Sequence, residues 1–207
     1  MAVVMCFGDS NTHGTPPIVD VSRYDRFAKG IRWPTLLKAA EVIEEGLPGR
    51  VTAQDDPIMG AHMNGQIGLK AALESHGPID ILIIMLSTND VKARFNATAE
   101  TVACGIASLL DIAQQPTLQT RHGSFKILLI CPPPVVEVGV LKGEFYGANA
   151  RSTALPKLLK PLAQARGVEF LDAGSEIQVS PIDGVHFEAD AHSKIAVAVN
   201  LKLATMG

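Results

Sequence analysis

The sequence predicts an α/β protein in which a parallel sheet carries helices on both faces. Three observations lead there. Short apolar runs alternate with longer segments whose apolar residues recur at three- and four-residue steps, the succession of strands and helices that builds such a sheet. The strongest runs are continuously apolar, as strands buried on both faces are. Hydrophobic residues make up 47% of the 207 and charged ones 19%, enough to fill one core without a disulfide or metal staple, so a single domain over 1–207 is expected.

The first strand is expected at Val3 to Phe7. Pro34 to Glu45 begins like a helix, with proline in its first turn, yet must end as a strand over Glu41 to Glu45 if the sheet is to have five. No turn residue separates the two halves. Ile79 to Leu86 is the strongest apolar run, and Lys126 to Cys131, closed by Pro132-Pro133-Pro134, is the next. Between them a helix is expected from Thr98 to Ala113, capped by Thr98 or Asn96. A further helix should end before Gly167, starting late or kinked because Pro156 and Pro161 fall inside its pattern. A short strand over Val168 to Asp172 and a helix over Ala189 to Leu203 complete the chain.

Bulk properties exclude several functions. The net charge of −3, from 18 basic and 21 acidic side chains without long runs of either sign, offers no footprint for nucleic acid or an anionic membrane. Cys6, Cys104 and Cys131 are odd in number and set among apolar residues, which speaks for free thiols in a reducing compartment. The N-terminal apolar run lacks a basic region and is too short to span a bilayer, so cytoplasmic residence is the expectation. Neither G-x-G-x-x-G, a P-loop nor H-E-x-x-H occurs, which argues against nucleotide binding and zinc hydrolysis. His62, His76, His122 and His192 show no paired ligand spacing and are expected at the surface.

The chemistry concentrates at strand ends. Gly8-Asp9-Ser10-Asn11-Thr12-His13-Gly14 follows the first strand, where parallel sheets form their ligand crevice. Ser10 is either a nucleophile there or, with Asp9, only a helix cap. Asp183-Gly184-Val185-His186 offers a base for a serine hydroxyl and a carboxylate to orient it, or else an unremarkable loop pair. Ser87-Thr88-Asn89-Asp90 follows the strongest strand, and Asn89 can donate to a developing oxyanion or close an Asx-turn. Gly46-Leu47-Pro48-Gly49-Arg50 could present the Gly49 N–H to the same oxygen. The order serine, acid, histidine lets each weak signal support the others.

Together the four segments resemble the four blocks of the SGNH (GDSL-type) hydrolase family. Arg26-Phe27-Ala28, Arg32-Trp33, Glu44-Glu45-Gly46-Leu47, Asp55-Asp56-Pro57, Asn64-Gly65 and Asp172-Ala173-Gly174-Ser175 extend the likeness to its bacterial arylesterase and acyltransferase branch. The resemblance implies a three-layer α/β/α flavodoxin-like sandwich with a five-stranded parallel sheet. It also implies hydrolysis of short acyl esters through an acyl-enzyme, with acyl transfer to alcohols and without metal or cofactor. Carried over, Ser10 is the nucleophile, His186 the base and then the acid, and Asp183 the orienting carboxylate. Ser10 N–H, Gly49 N–H and the Asn89 amide form the oxyanion hole. Ser87 departs from the family's glycine and is expected to crowd the loop that aims Asn89.

Asp9, Asn11 and His13 beside the nucleophile, and Trp33 in a polar stretch shared with Arg32, are expected to line the substrate pocket. The expected partner is a small ester, with a homo-oligomer, an octamer by resemblance, narrowing the entrance; a monomeric mass in light scattering would contradict that. A carbohydrate acetyl esterase and a catalytically silent binding protein on the same frame are the competing readings.

Overall fold

The computed structural model describes residues 2–206. Five parallel strands, β1 (Val3–Gly8), β2 (Glu41–Gly46), β3 (Ile81–Met85), β4 (Lys126–Cys131) and β5 (Glu169–Asp172), form one sheet in the order β2-β1-β3-β4-β5. This is the flavodoxin-like order, whose direction reverses between β1 and β3 and opens a crevice at their carboxyl ends. The registers Gly8↔Gly46 and Gly8↔Met85 bring those ends level, so the loops after β1, β2 and β3 meet at one place.

Alternation along the strands divides the core between two faces. Met5 and Phe7 of β1, Leu82 and Ile84 of β3, and Leu129 of β4 face one side. There they pack on α2 (Gly65–Ser75), α3 (Ala99–Ala113) and α5 (Ala148–Ala165) through Leu69, Ile106 and Leu159. Val4 and Cys6, Ile81 and Ile83, and Leu128 and Ile130 face the other side, against Ile195 and Val199 of α6 (Ala189–Met206) and against Trp33. The three-layer α/β/α sandwich is thus present. No helix among the described residues is long and apolar enough to cross a membrane.

Several details differ from expectation. Pro34 opens only a single 3₁₀ turn, Trp33–Leu36, so residues 37–40 are free to lead into β2 and no turn residue is needed. β2 is an edge strand; Glu44 and Glu45 charge it on both faces, which hid it in the sequence. The helix before Gly167 does not start late: it begins at Ala148 and runs through both prolines, because Leu155, Leu159 and Ala163 bury its inner face and packing overrides propensity. Thr98, not Asn96, caps α3. α2 and α4 (Pro116–His122) were not foreseen, although Asn64 caps the former and Pro116 and Gly123 bracket the latter.

His122 and His192 are buried rather than at the surface. The His122 ring lies between Ile79 N–H and the Leu73 carbonyl. His192 accepts from Trp33 N–H and meets the rings of Phe27 and Phe187 edge-on. Burial lowers its pKa to about 4.

Candidate active site

β1 delivers Ser10 into the crevice through a tight turn. α1 is one turn long (Ser10–His13), with Asp9 as its N-cap accepting from Asn11 N–H at 2.9 Å. Gly8 makes the turn possible, since a Cβ there would lie 2.0 Å from Thr12 Oγ1 and 2.8 Å from the Met85 carbonyl. Ser10 heads the helix, so its N–H has no partner within the helix and points out of the N-terminus.

The Ser10 Oγ lies 3.0 Å from His186 Nε2, and His186 Nδ1 lies 2.6 Å from Asp183 Oδ2. A carboxylate only accepts, so Nδ1 carries the proton and Nε2 is left to accept from the serine hydroxyl. Asp183 Oδ1 also accepts from the N–H groups of Val185 and His186, and Oδ2 from Ile18 N–H. Burial alone would raise the Asp183 carboxyl, but the His186 ring and these donors outweigh it and hold it below the usual range.

Asn89 arrives from the end of β3. Its Nδ2 donates to the Arg50 carbonyl at 3.2 Å, which fixes the amide and leaves its second N–H for a ligand. Gly49, at φ +93°, comes from the loop after β2; a Cβ there would sit 2.8 Å from Met59 Cε. Ser10, Gly49, Asn89 and His186 all line one cleft of about 440 Å³.

The cleft's walls differ in character. Ile18, Val21, Tyr24, Ile58, Met59, Leu141 and Phe145 are apolar. Lys92, Arg94 and Glu144 line the same cleft, with Lys92 Nζ 5.4 Å above the Phe145 ring. Arg94 bridges Glu144 at 3.0 Å and the buried Asp56 at 2.6 Å, and Lys92 Nζ lies 3.2 Å from Glu144. No cluster of metal-binding side chains occurs among the described residues.

Of the four expected pocket residues, only His13 lines the cleft. Asp9 is buried as the cap of α1. Asn11 is spent on the loop that carries His186, donating to the Val185 carbonyl and accepting from Phe187 N–H. Trp33 is wholly buried against the α6 face, and Arg32 beside it makes a bidentate pair with Glu44 at 2.6 and 2.7 Å. The polarity of their stretch suggested a pocket loop, but long-range partners decided burial. Lys92, Arg94 and Glu144 had gone unnoticed; the only available signal was Lys92 lying three residues past Asn89. Cys131 is buried, and its thiol is pushed up by that burial, so a thiolate is disfavoured there.

Two features behind the site carry predictions. Ser87 is fully buried at φ +115°, with an Oγ that finds no partner. Relief of that strain outweighs glycine's extra chain entropy. Ser87→Gly should therefore raise the melting temperature by roughly 2–4 °C, about 1 kcal/mol. An unchanged or lower value in calorimetry would show that serine is accommodated there without strain.

Asp9 and Asp90 are also buried, each with an unpartnered Oδ2. Both are pushed up to about 6, first by burial, with Asp9 repelling Asp90 as well. Between about pH 4, where an unfolded aspartate ionises, and pH 6, the native protein holds the extra proton, so stability falls as pH rises through that window. Asp90→Asn keeps an acceptor for Thr52 N–H and Oγ1 and removes the ionisation. Its melting temperature relative to wild type should climb by several degrees from pH 4 to pH 7; a pH-independent offset would contradict the buried-charge account.

A serine, histidine and aspartate in one hydrogen-bonded line beside a free amide donor, set at the switch point of a parallel sheet, are the arrangement of serine acyl hydrolases. Comparisons agree. The GDSL-like lipase/acylhydrolase family model matches residues 6–194. An aryl esterase of M. smegmatis, in its native form, is 34% identical over 100% of both chains with a TM-score of 0.93. A carbohydrate acetylesterase from Sinorhizobium meliloti is 35% identical over 100% of both chains at 0.92, and a putative arylesterase from Agrobacterium tumefaciens is 37% identical over 100% of both at 0.88. No curated protein matches. The chain belongs to the GDSL-like lipase/acylhydrolase family and is a carboxylic ester hydrolase.

Proposed function

We propose that this chain cleaves short, acetyl-type esters through an acyl-enzyme on Ser10. The observation that carries the reading is the unbroken line Ser10 Oγ, His186, Asp183. His186 Nε2 takes the hydroxyl proton as Oγ attacks the ester carbonyl, and Asp183 stabilises the imidazolium that forms. The oxyanion is met by the Ser10 N–H, the Gly49 N–H and the free N–H of Asn89. His186 returns the proton to the departing alcohol; a water, activated the same way, then releases the acid.

Hydrolysis rates across p-nitrophenyl esters of rising acyl length test the acyl preference. Acetate should lead, and a maximum at octanoate or beyond would overturn it. Transfer of the acyl group to an added alcohol is the second reading, favoured by the cleft's apolar wall, which holds organic alcohols better than water.

A further inference from the structure

The cleft wall beside Phe145 holds a lysine that the hydrolytic step does not use. Lys92 is 8% exposed, its Nζ lies 5.4 Å above the Phe145 ring, and Glu144 is the carboxylate beside it at 3.2 Å. An ammonium has three N–H donors, and Glu144 occupies one. Burial holds the Lys92 pKa down while Glu144 pulls it back up, so the pair compensates a real desolvation cost. Glu144 is shared with Arg94, and about half of its side chain is open to the cleft as an acceptor.

The position is set by the oxyanion loop itself. Lys92 N–H donates to the Asn89 carbonyl at 3.1 Å, so Lys92 lies one backbone turn past Asn89, and both line the cleft. A saturated acyl chain gains nothing from a donor and an acceptor side by side. Buried donors left unpaired by a ligand cost binding energy, so this wall selects for a polar substrate half.

Charge decides which polar group it takes. Lys92 and Arg94 are two cations, balanced by Glu144 and Asp56 as two carboxylates. The wall is neutral in sum and offers no excess field to an anion, but it offers both a donor and an acceptor to a hydroxyl.

We propose that Lys92 and Glu144 read a free hydroxyl on the alcohol half of the ester, making the preferred substrates partial esters of polyhydroxy alcohols. Lys92 donates to the hydroxyl oxygen, and the hydroxyl donates a hydrogen bond to Glu144. The proposal rests on the esterase reading above and names the leaving group of that same site.

The test compares 2-hydroxyethyl acetate with n-propyl acetate, which differ by hydroxyl against methyl at nearly equal size, and adds acetoxyacetate as the anionic analogue. Wild type should favour the hydroxyl ester in kcat/KM by about tenfold or more, the size of one hydrogen bond to a charged group, chiefly through KM. Lys92→Met should collapse that ratio. Glu144→Gln, at a half-exposed position that tolerates change, should reduce it as well. Equal rates on the two neutral esters in wild type, a preference for acetoxyacetate, or an unchanged ratio in both variants would overturn the proposal. Cleavage of none of the esters would instead strike at the esterase reading.

Discussion

Ser10→Ala should abolish ester turnover, lowering kcat by on the order of 10⁵- to 10⁶-fold, the loss seen when the nucleophile of a triad is removed. The expectation follows from what Ser10 touches. Its hydroxyl bonds to His186 Nε2 and its backbone heads α1, so the substitution removes the proposed attacking oxygen but leaves the proposed oxyanion donors in place. The residual rate over water should come from those donors alone. Folding should survive, since α1 is capped by Asp9 and its loop is tied down through Asn11 to Val185 and Phe187. Initial rates on p-nitrophenyl acetate, with a thermal melt alongside, check both halves. Undiminished turnover in the variant would make Ser10 structural and move the nucleophile to another group.

Asn89→Ala should cost about 10²- to 10³-fold in kcat with KM little changed, because an oxyanion donor strengthens as charge develops and contributes less to the ground state. Asn89 is 4% exposed, and its amide is held by the Arg50 carbonyl, so the free N–H is preorganised rather than recruited. A rise in KM with unchanged kcat would assign Asn89 to substrate binding, and no effect at all would leave it closing the turn after β3.

Much of the fold was legible because its signals are local. β1, β3 and β4 are continuous apolar runs, and continuity follows directly from burial on both faces. β2 is an edge strand whose glutamates answer Arg32, Arg26 and His76, none of them local, and the requirement for five strands identified it better than its own pattern did. α5 was misjudged because two prolines were weighed against a helix whose stability comes from Leu155 and Leu159 against the core. α2, with glycines at 65 and 68, offered a weak periodic signal beneath a good cap.

The candidate site followed a similar division. Ser10, Asn89 and the Asp183/His186 pair could be named because each sits in a short polar motif, two of them directly after strands, and the sheet order carries those ends together. Asp9 and Asn11 share the motif, but Asp9 turns back to cap α1, and Asn11 is drawn inward by the distant backbone of Val185 and Phe187, which no local pattern reveals. Trp33 was lost to the same cause: His192, far along the chain, receives its N–H within the α6 layer. Lys92 and Glu144 meet only in the folded cleft, so no local pattern paired them.

The most direct test of the account is the site of covalent capture. The protein, treated with an organophosphate ester that phosphorylates activated serines, would be analysed by intact mass and then by peptide mapping. One adduct per chain on the peptide bearing Ser10, absent from Ser10→Ala and formed slowly in His186→Ala, is the predicted result. An adduct on another residue that silences the enzyme, or full inhibition with the Ser10 peptide unmodified, would contradict it.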